Sequence, residues 1–163
     1  MKRILFLLLV LILVVTMPAC SSSNPSEPES NVQELTDFYN KLAESKELLD
    51  TLADDIYDNW YAAEHNNAFG GDADRAILAA QQENAENLTK IKSLDAEIVD
   101  LYKEVKDSLP YSLYRIMTVY TDYYETVVNV KPSVTYELLS YSFDREYAEE
   151  ELASLLRELS YEI

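Results

Sequence analysis

The sequence predicts an all-α body, an antiparallel up-down-up-down four-helix bundle, and three observations predict it. Apolar residues recur at helical spacing through four segments between about residues 31 and 161. Glycine is nearly absent: Gly70 and Gly71 are the only two in 163 residues, too few turn-formers for a sandwich or barrel, which turns every 8–12 residues or so. The breaks that exist, at Gly70-Gly71, Pro110 and Pro132, leave short connections, and short connections make neighbouring helices antiparallel. An extended coiled coil, or a three-helix body with a loose tail, fits the same pattern less economically.

The first segment runs from about Asn31 to Asn66. Leu35, Leu42, Leu49, Ile56 and Ala63 fall seven apart, flanked by Phe38, Tyr39, Leu52, Ala53 and Trp60. Asn31 followed by Glu34 has the spacing of a capping box. The second segment, capped by Asp72 or Asp74, runs to about Ser108, with Ile77, Asn84, Ile91, Ile98 and Val105 seven apart. A lone asparagine on such a seam fixes register at some loss of stability. The third covers about Tyr111 to Asn129, on Leu113, Ile116, Tyr120, Tyr123, Val127 and Val130. The fourth covers about Ser133 to Tyr161, on Leu138, Tyr141, Arg145, Ala148, Leu152, Leu155 and Leu159. Arg145 stands where a leucine is expected. A buried guanidinium needs a carboxylate from a facing helix, or must snorkel to the surface.

The amino terminus reads differently. Met1-Lys2-Arg3 is positive, Ile4 to Val15 is unbroken apolar sequence, and Thr16-Met17-Pro18-Ala19-Cys20 follows. A positive start, an apolar run and a small residue at the cut mark a secretory signal. The run is shorter than the ~20 residues a span requires, and its positive end stays cytoplasmic, so the rest of the chain is exported. Met17-Pro18-Ala19-Cys20 resembles the lipobox of bacterial lipoproteins. Ala19 and Cys20 match that motif, Met17 replaces its usual leucine, and Pro18 departs from its middle position. The resemblance covers about the first 20 residues. It implies cleavage before Cys20, a diacylglycerol on the Cys20 sulfur, and a protein held on a membrane facing outside the cytoplasm. Cys20 is the only cysteine, and a lone thiol in an exported protein would otherwise be an unexplained reactive group. Ser21 to Ser30 is polar, with Pro25 and Pro28. It reads as a flexible tether holding the body roughly 20 Å from the bilayer, and at most about 35 Å. The domains expected are therefore a signal (1–19), a lipidated tether (20–30) and a helical body (31–163).

The formal charge is −17 for the whole chain. Loss of Lys2 and Arg3 with the signal takes it to −19. Such a chain repels nucleic acid and anionic headgroups and attracts cations or basic proteins. Reactive groups are few. With one histidine, His65, and one cysteine, Cys–His pairs and Cys/His zinc sites are excluded. Ala62 stands three residues before His65, where a helical di-iron pair needs glutamate. No calcium loop is present, and Asp72-Ala73-Asp74 reads as helix capping. Asp54, Asp55, Asp58 and Glu64 lie near Trp60, Tyr61 and His65. That mixture occurs in sugar sites, but a solvated helix face also has it.

Tyrosine is the unusual feature, with thirteen in all and nine between Tyr111 and Tyr161. Tyr120, Tyr123 and Tyr141 fall on the seam, where a ring packs and its hydroxyl reaches the rim. Tyr136, Phe143 and Tyr147 fall off it, seven and four apart, and are the expected partner-binding stripe. The body is expected to be a monomeric, non-catalytic binding or assembly module, without cofactor or metal, recognising a basic protein or cell-envelope component. The alternative is a small-ligand or enzyme-accessory protein using a tyrosine-lined space between the third and fourth helices.

Overall fold

A computed structural model describes residues 29–133 and 136–163. The expected signal, Cys20 and most of the expected tether lie outside the described residues. The described residues are all-helical: α1 (Glu29–Asn66), α2 (Ala73–Glu83), α3 (Ala85–Val105), α4 (Pro110–Val128) and α5 (Leu138–Leu159), with a 3-10 turn at Ala68–Gly70. Among the described residues there is no strand, only one antiparallel bridge between Ser133 and Tyr136. No described helix is long and apolar enough to cross a membrane.

At 1.5 Å per residue, the 38 residues of α1 span about 57 Å, and every other helix packs against it. Its buried positions are Leu35, Phe38, Leu42, Ser45, Leu49, Leu52, Ala53, Ile56, Trp60 and Ala63, stepping by three and four apart from Ala53 beside Leu52. That spacing turns one stripe of the helix inward along its whole length. The chain runs through Asn31 in helical conformation, so Asn31 is inside α1 rather than at its cap.

The turn after α1 holds Asn67, Phe69, Gly70 and Gly71 in the left-handed region, with φ of 54°, 53°, 72° and 73°. Gly71 suits this φ, and a Cβ there would crowd the Asn67 side-chain oxygen at 3.2 Å. Asp72 then caps α2, its carboxylate accepting from the Arg75 N–H at 3.1 Å.

The expected second helix is two. Asn84, with φ −100° and ψ 23°, ends α2 and begins α3. Its amide donates to Ala80 O at 3.1 Å and across to Asp55 Oδ2 on α1 at 2.7 Å. An asparagine that bonds its own preceding turn competes with the helical ladder, and the helix breaks where that side chain leans toward Asp55. The seam continues across the break through Ile77, Ala80, Ile91, Leu94 and Ile98, all buried.

The expected fourth helix also starts later, at Leu138 instead of Ser133. After Pro132, Ser133 and Tyr136 exchange two backbone hydrogen bonds of 3.0 and 3.1 Å. This bridge occupies the Ser133 and Tyr136 carbonyls, which a helix starting at Ser133 would have bonded to amides four residues on. Pro110, in contrast, sits in the first turn of α4, where its missing N–H leaves no bond unmade.

Candidate interaction face

The three seam tyrosines are spent inside the body. Tyr120, Tyr123 and Tyr141 are fully buried, and each hydroxyl finds a partner on α1. Tyr120 meets Ser45 Oγ at 3.2 Å and also lies by Asp95 of α3. Tyr123 donates to Asp50 Oδ1 at 2.8 Å, and Lys46 holds the other Asp50 oxygen at 2.7 Å. Tyr141 donates to the Ala53 carbonyl at 3.2 Å, its ring 5.7 Å from that of Trp60. Burial, the dominant cause, raises all three hydroxyls well above the ordinary tyrosine range. Burial likewise raises two carboxylates beside this layer. Asp95 is raised against the pull of Tyr120, and Glu149 is raised further by the charge of Asp50. Ser45, buried on the α1 seam, escaped the sequence reading because a lone serine in an apolar repeat carries no pattern of its own.

Between α4 and α5 the interior is therefore filled, and the tyrosine-bearing space lies at one end. There a cleft of about 300 Å³ is bordered by Arg115, Leu155, Tyr111 and Tyr161. These two tyrosines are 80% and 81% exposed, so they rim the cleft instead of enclosing it.

Arg145 finds its acid on a facing helix. Its Nη1 bonds Asp54 Oδ1 of α1, and its guanidinium carbon lies 5.0 Å from the Tyr57 ring centre. The side chain is mostly covered, while Asp54 stays exposed. Tyr57 begins a ladder along the outer side of α1. The Tyr61 ring follows at 6.1 Å, and the His65 ring stacks on Tyr61 at 4.1 Å with 13° between planes. A four-residue step on a helix puts side chains one above another, which is why 57, 61 and 65 meet. With Glu64 they form one wall of an open cleft of about 300 Å³, and Leu138, Leu139 and Ser142 of α5 form the other. Glu64 accepts from Trp60 Nε1 at 2.8 Å. Of the carboxylate–aromatic mixture at the end of the first helix, Tyr61, Glu64 and His65 line the cleft, and among the described residues no group of three or more acids, histidines or cysteines is placed to hold a metal.

The expected stripe of Tyr136, Phe143 and Tyr147 divides. Phe143 and Tyr147 stand 64% and 71% exposed on α5. Tyr136 precedes the helix, is half-buried, and packs against the core. Burial first and the Asp144 carboxylate second push its hydroxyl up to about 12. It therefore does not share a helix face with Phe143. Leu139 takes that place, 65% exposed and four residues before Phe143. The sequence reading missed it because the assumed helix start put Tyr136 on the same stripe. Leu139 borders the cleft, so the apolar stripe of α5 and the ring ladder of α1 form one continuous face.

No protein-family model matches this sequence, and neither curated proteins nor solved structures are similar to it.

Proposed function

We propose that the chain is a lipid-anchored protein outside the cytoplasm whose helical body is a monomeric, non-catalytic binding module. The anchor reading rests on the signal-like start and the lipobox-like Met17-Pro18-Ala19-Cys20, with diacylglycerol on Cys20 as the membrane contact. The body reading takes the four-helix bundle in its antiparallel up-down-up-down form, with α2 and α3 together as the second arm. Cross-helix pairs support that order. Along α1, Asn59, Asp55, Glu44 and Lys41 meet Ala76, Asn84, Lys90 and Glu97 in reverse sequence. Ser45 and Asp50 meet Tyr120 and Tyr123 in the same sequence, while Trp60 and Asp54 meet Tyr141 and Arg145 in reverse.

One observation carries the functional reading: Leu139, Phe143 and Tyr147 stand exposed in one stripe beside an open aromatic cleft. A solvent-facing helix has no internal use for three large apolar side chains, and such patches mark contact sites on other proteins. The strongly acidic body favours a basic protein or cell-envelope component as the partner. Photo-crosslinking in intact cells tests this. A benzophenone amino acid at Phe143 or Tyr147 should give a discrete crosslinked product, and one at Glu104, exposed on α3, should not. The same faint pattern from all three positions would refute the reading. A second reading, small-ligand carriage, draws on the α4/α5 cleft rimmed by Tyr111 and Tyr161.

A further inference from the structure

We propose that the α1/α5 cleft seats an arginine side chain of a partner protein, held against Tyr61 and Glu64, with Asp58 on the helix surface beside the ring. The proposal rests on the reading of this face as a protein contact surface and names what it recognises.

The argument begins with a repeat. Asp54-x-x-Tyr57 is followed four residues later by Asp58-x-x-Tyr61. Residues three and four apart are neighbours on a helix surface, so each unit offers a carboxylate beside an aromatic ring. The first unit is already filled from within. Arg145 bonds Asp54 and lies over Tyr57 at 5.0 Å, so the fold itself shows that this pairing accepts a guanidinium.

The second unit holds no guanidinium: the His65 ring stacks on one face of Tyr61 at 4.1 Å, and the rest of the ring borders the cleft. In the antiparallel register, moving from Tyr57 to Tyr61 on α1 moves from Arg145 back to Tyr141 or Ser142 on α5. Tyr141 is turned into the core. Ser142 lines the cleft, and its short side chain bonds Glu146 at 3.1 Å. An opening of about 300 Å³ therefore stands where a second arginine would reach across. Asp58 is exposed and makes no ion pair or hydrogen bond among the described residues. Tyr61 is 44% exposed. Glu64, three residues beyond Tyr61 as Asp58 is three before it, gives one oxygen to Trp60 and keeps the other. A cation at this seat meets the Tyr61 ring and the Glu64 carboxylate of the cleft wall, with Asp58 three residues back on the exposed surface of α1.

Charge and shape choose the occupant. Lys2, Arg3, Glu27 and Glu29 lie outside the body of residues 31–163, which leaves it with 28 acids against 11 bases, so a cation is drawn in. A guanidinium is flat, stacks on a ring and forks between carboxylates, whereas an ammonium is a strongly hydrated point charge. Leu139, Phe143 and Tyr147 continue the face with apolar contacts for the residues around that arginine.

The test uses the full chain in nonionic detergent at physiological salt, titrated calorimetrically with capped tri-arginine, tri-lysine and tri-citrulline peptides. Emission from Trp60, the only tryptophan and bonded to Glu64, reports the location. Tri-arginine should bind saturably and change that emission. Tri-lysine should bind several-fold more weakly, and neutral tri-citrulline should not bind. Asp58→Asn and Tyr61→Leu should each weaken tri-arginine by about fivefold, the scale of one cation–ring or charge-assisted contact. Ser142→Arg should fill the seat from within and abolish binding with helix content unchanged, while Glu104→Gln should change nothing. Equal binding of tri-arginine and tri-lysine, insensitive to all these variants, would mean general acidic attraction and overturn the proposal, as would no binding at all. Crosslinks from Phe143 and Tyr147 that persist in the Ser142→Arg chain would sink the arginine seat while leaving the contact surface standing. Loss of those crosslinks from the unsubstituted chain would sink both.

Discussion

Raising the pH past 10 should unfold the body from its centre. Tyr120, Tyr123 and Tyr141 are fully buried, and burial raises each hydroxyl above its ordinary value. A free tyrosine ionises near pH 10. Above that pH the unfolded chain gives up these protons and the folded chain keeps them. The stabilisation from the neutral hydroxyls is therefore complete below pH 10 and is lost as the pH climbs toward the folded values. For three such groups the loss at pH 11 is roughly 4 kcal/mol, a large part of the ~5–15 kcal/mol that holds a domain together. With a urea slope of about 2 kcal/mol/M, the midpoint of the 222 nm circular dichroism transition should fall by roughly 2 M between pH 8 and pH 11. Tyrosinate absorbance at 295 nm should show a late rise coinciding with the loss of helix. Deprotonation of lysines also adds repulsion, so Tyr123→Phe is the discriminating arm. At pH 8 it should cost about 1 kcal/mol for the lost bond to Asp50, which still has Lys46. At pH 11 it should recover about a third of the alkaline loss. If the midpoint hardly moves, or all tyrosines ionise while the helix persists, the buried hydroxyl layer is wrong.

Glu149→Gln and Asp95→Asn should each raise the melting temperature at pH 7, because burial penalises both charges. Their raised values mean that the unsubstituted body loses stability as the pH rises through the acidic range from about 4, and each variant should flatten that slope; a lowered melt at pH 7 for both contradicts this. Arg145→Leu should leave stability within about 1 kcal/mol by urea melt, since Asp54 is exposed and the pair gains little against an apolar replacement; a loss of several kcal/mol would assign the pair a structural role. Asn84→Ala should lose about 1–2 kcal/mol with the bond to Asp55, and an unchanged urea midpoint would show that the break needs no pin. Phe143→Ser with Tyr147→Ser should keep the melt within about 0.5 kcal/mol, and marked destabilisation would return both rings to the core.

Periodicity made the helical seams legible. Leu35, Leu42, Leu49, Ile56 and Ala63 are all buried, and the same logic found Leu113, Ile116, Tyr120, Tyr123 and Val127. It also singled out Arg145, whose acid on a facing helix is Asp54. Asn84 stood out as the one polar residue on its seam and was read as a register device, because the apolar spacing resumes beyond it and does not show that the helix breaks there. The start of α5 was misjudged because helical spacing says nothing about where backbone carbonyls are engaged, and Ser133 and Tyr136 accept from each other. Tyr136 was therefore assigned to a face it does not share, and Leu139 was overlooked. The cleft depends on pairing residues such as Asp54 and Arg145, 91 positions apart. A local repeat like Asp54-x-x-Tyr57-Asp58-x-x-Tyr61 is visible in one dimension, but which unit is filled depends on α5.

The central claim is a binding body held on a membrane by lipid at Cys20, and intact-mass analysis of the chain extracted from cell membranes tests it most directly. Cleavage before Cys20 and a diacylglycerol on its sulfur predict a mature terminus at residue 20 carrying that added mass. Cys20→Ala should abolish it and move the chain out of the membrane fraction. A mature terminus at another residue, or an unmodified Cys20, would contradict the account.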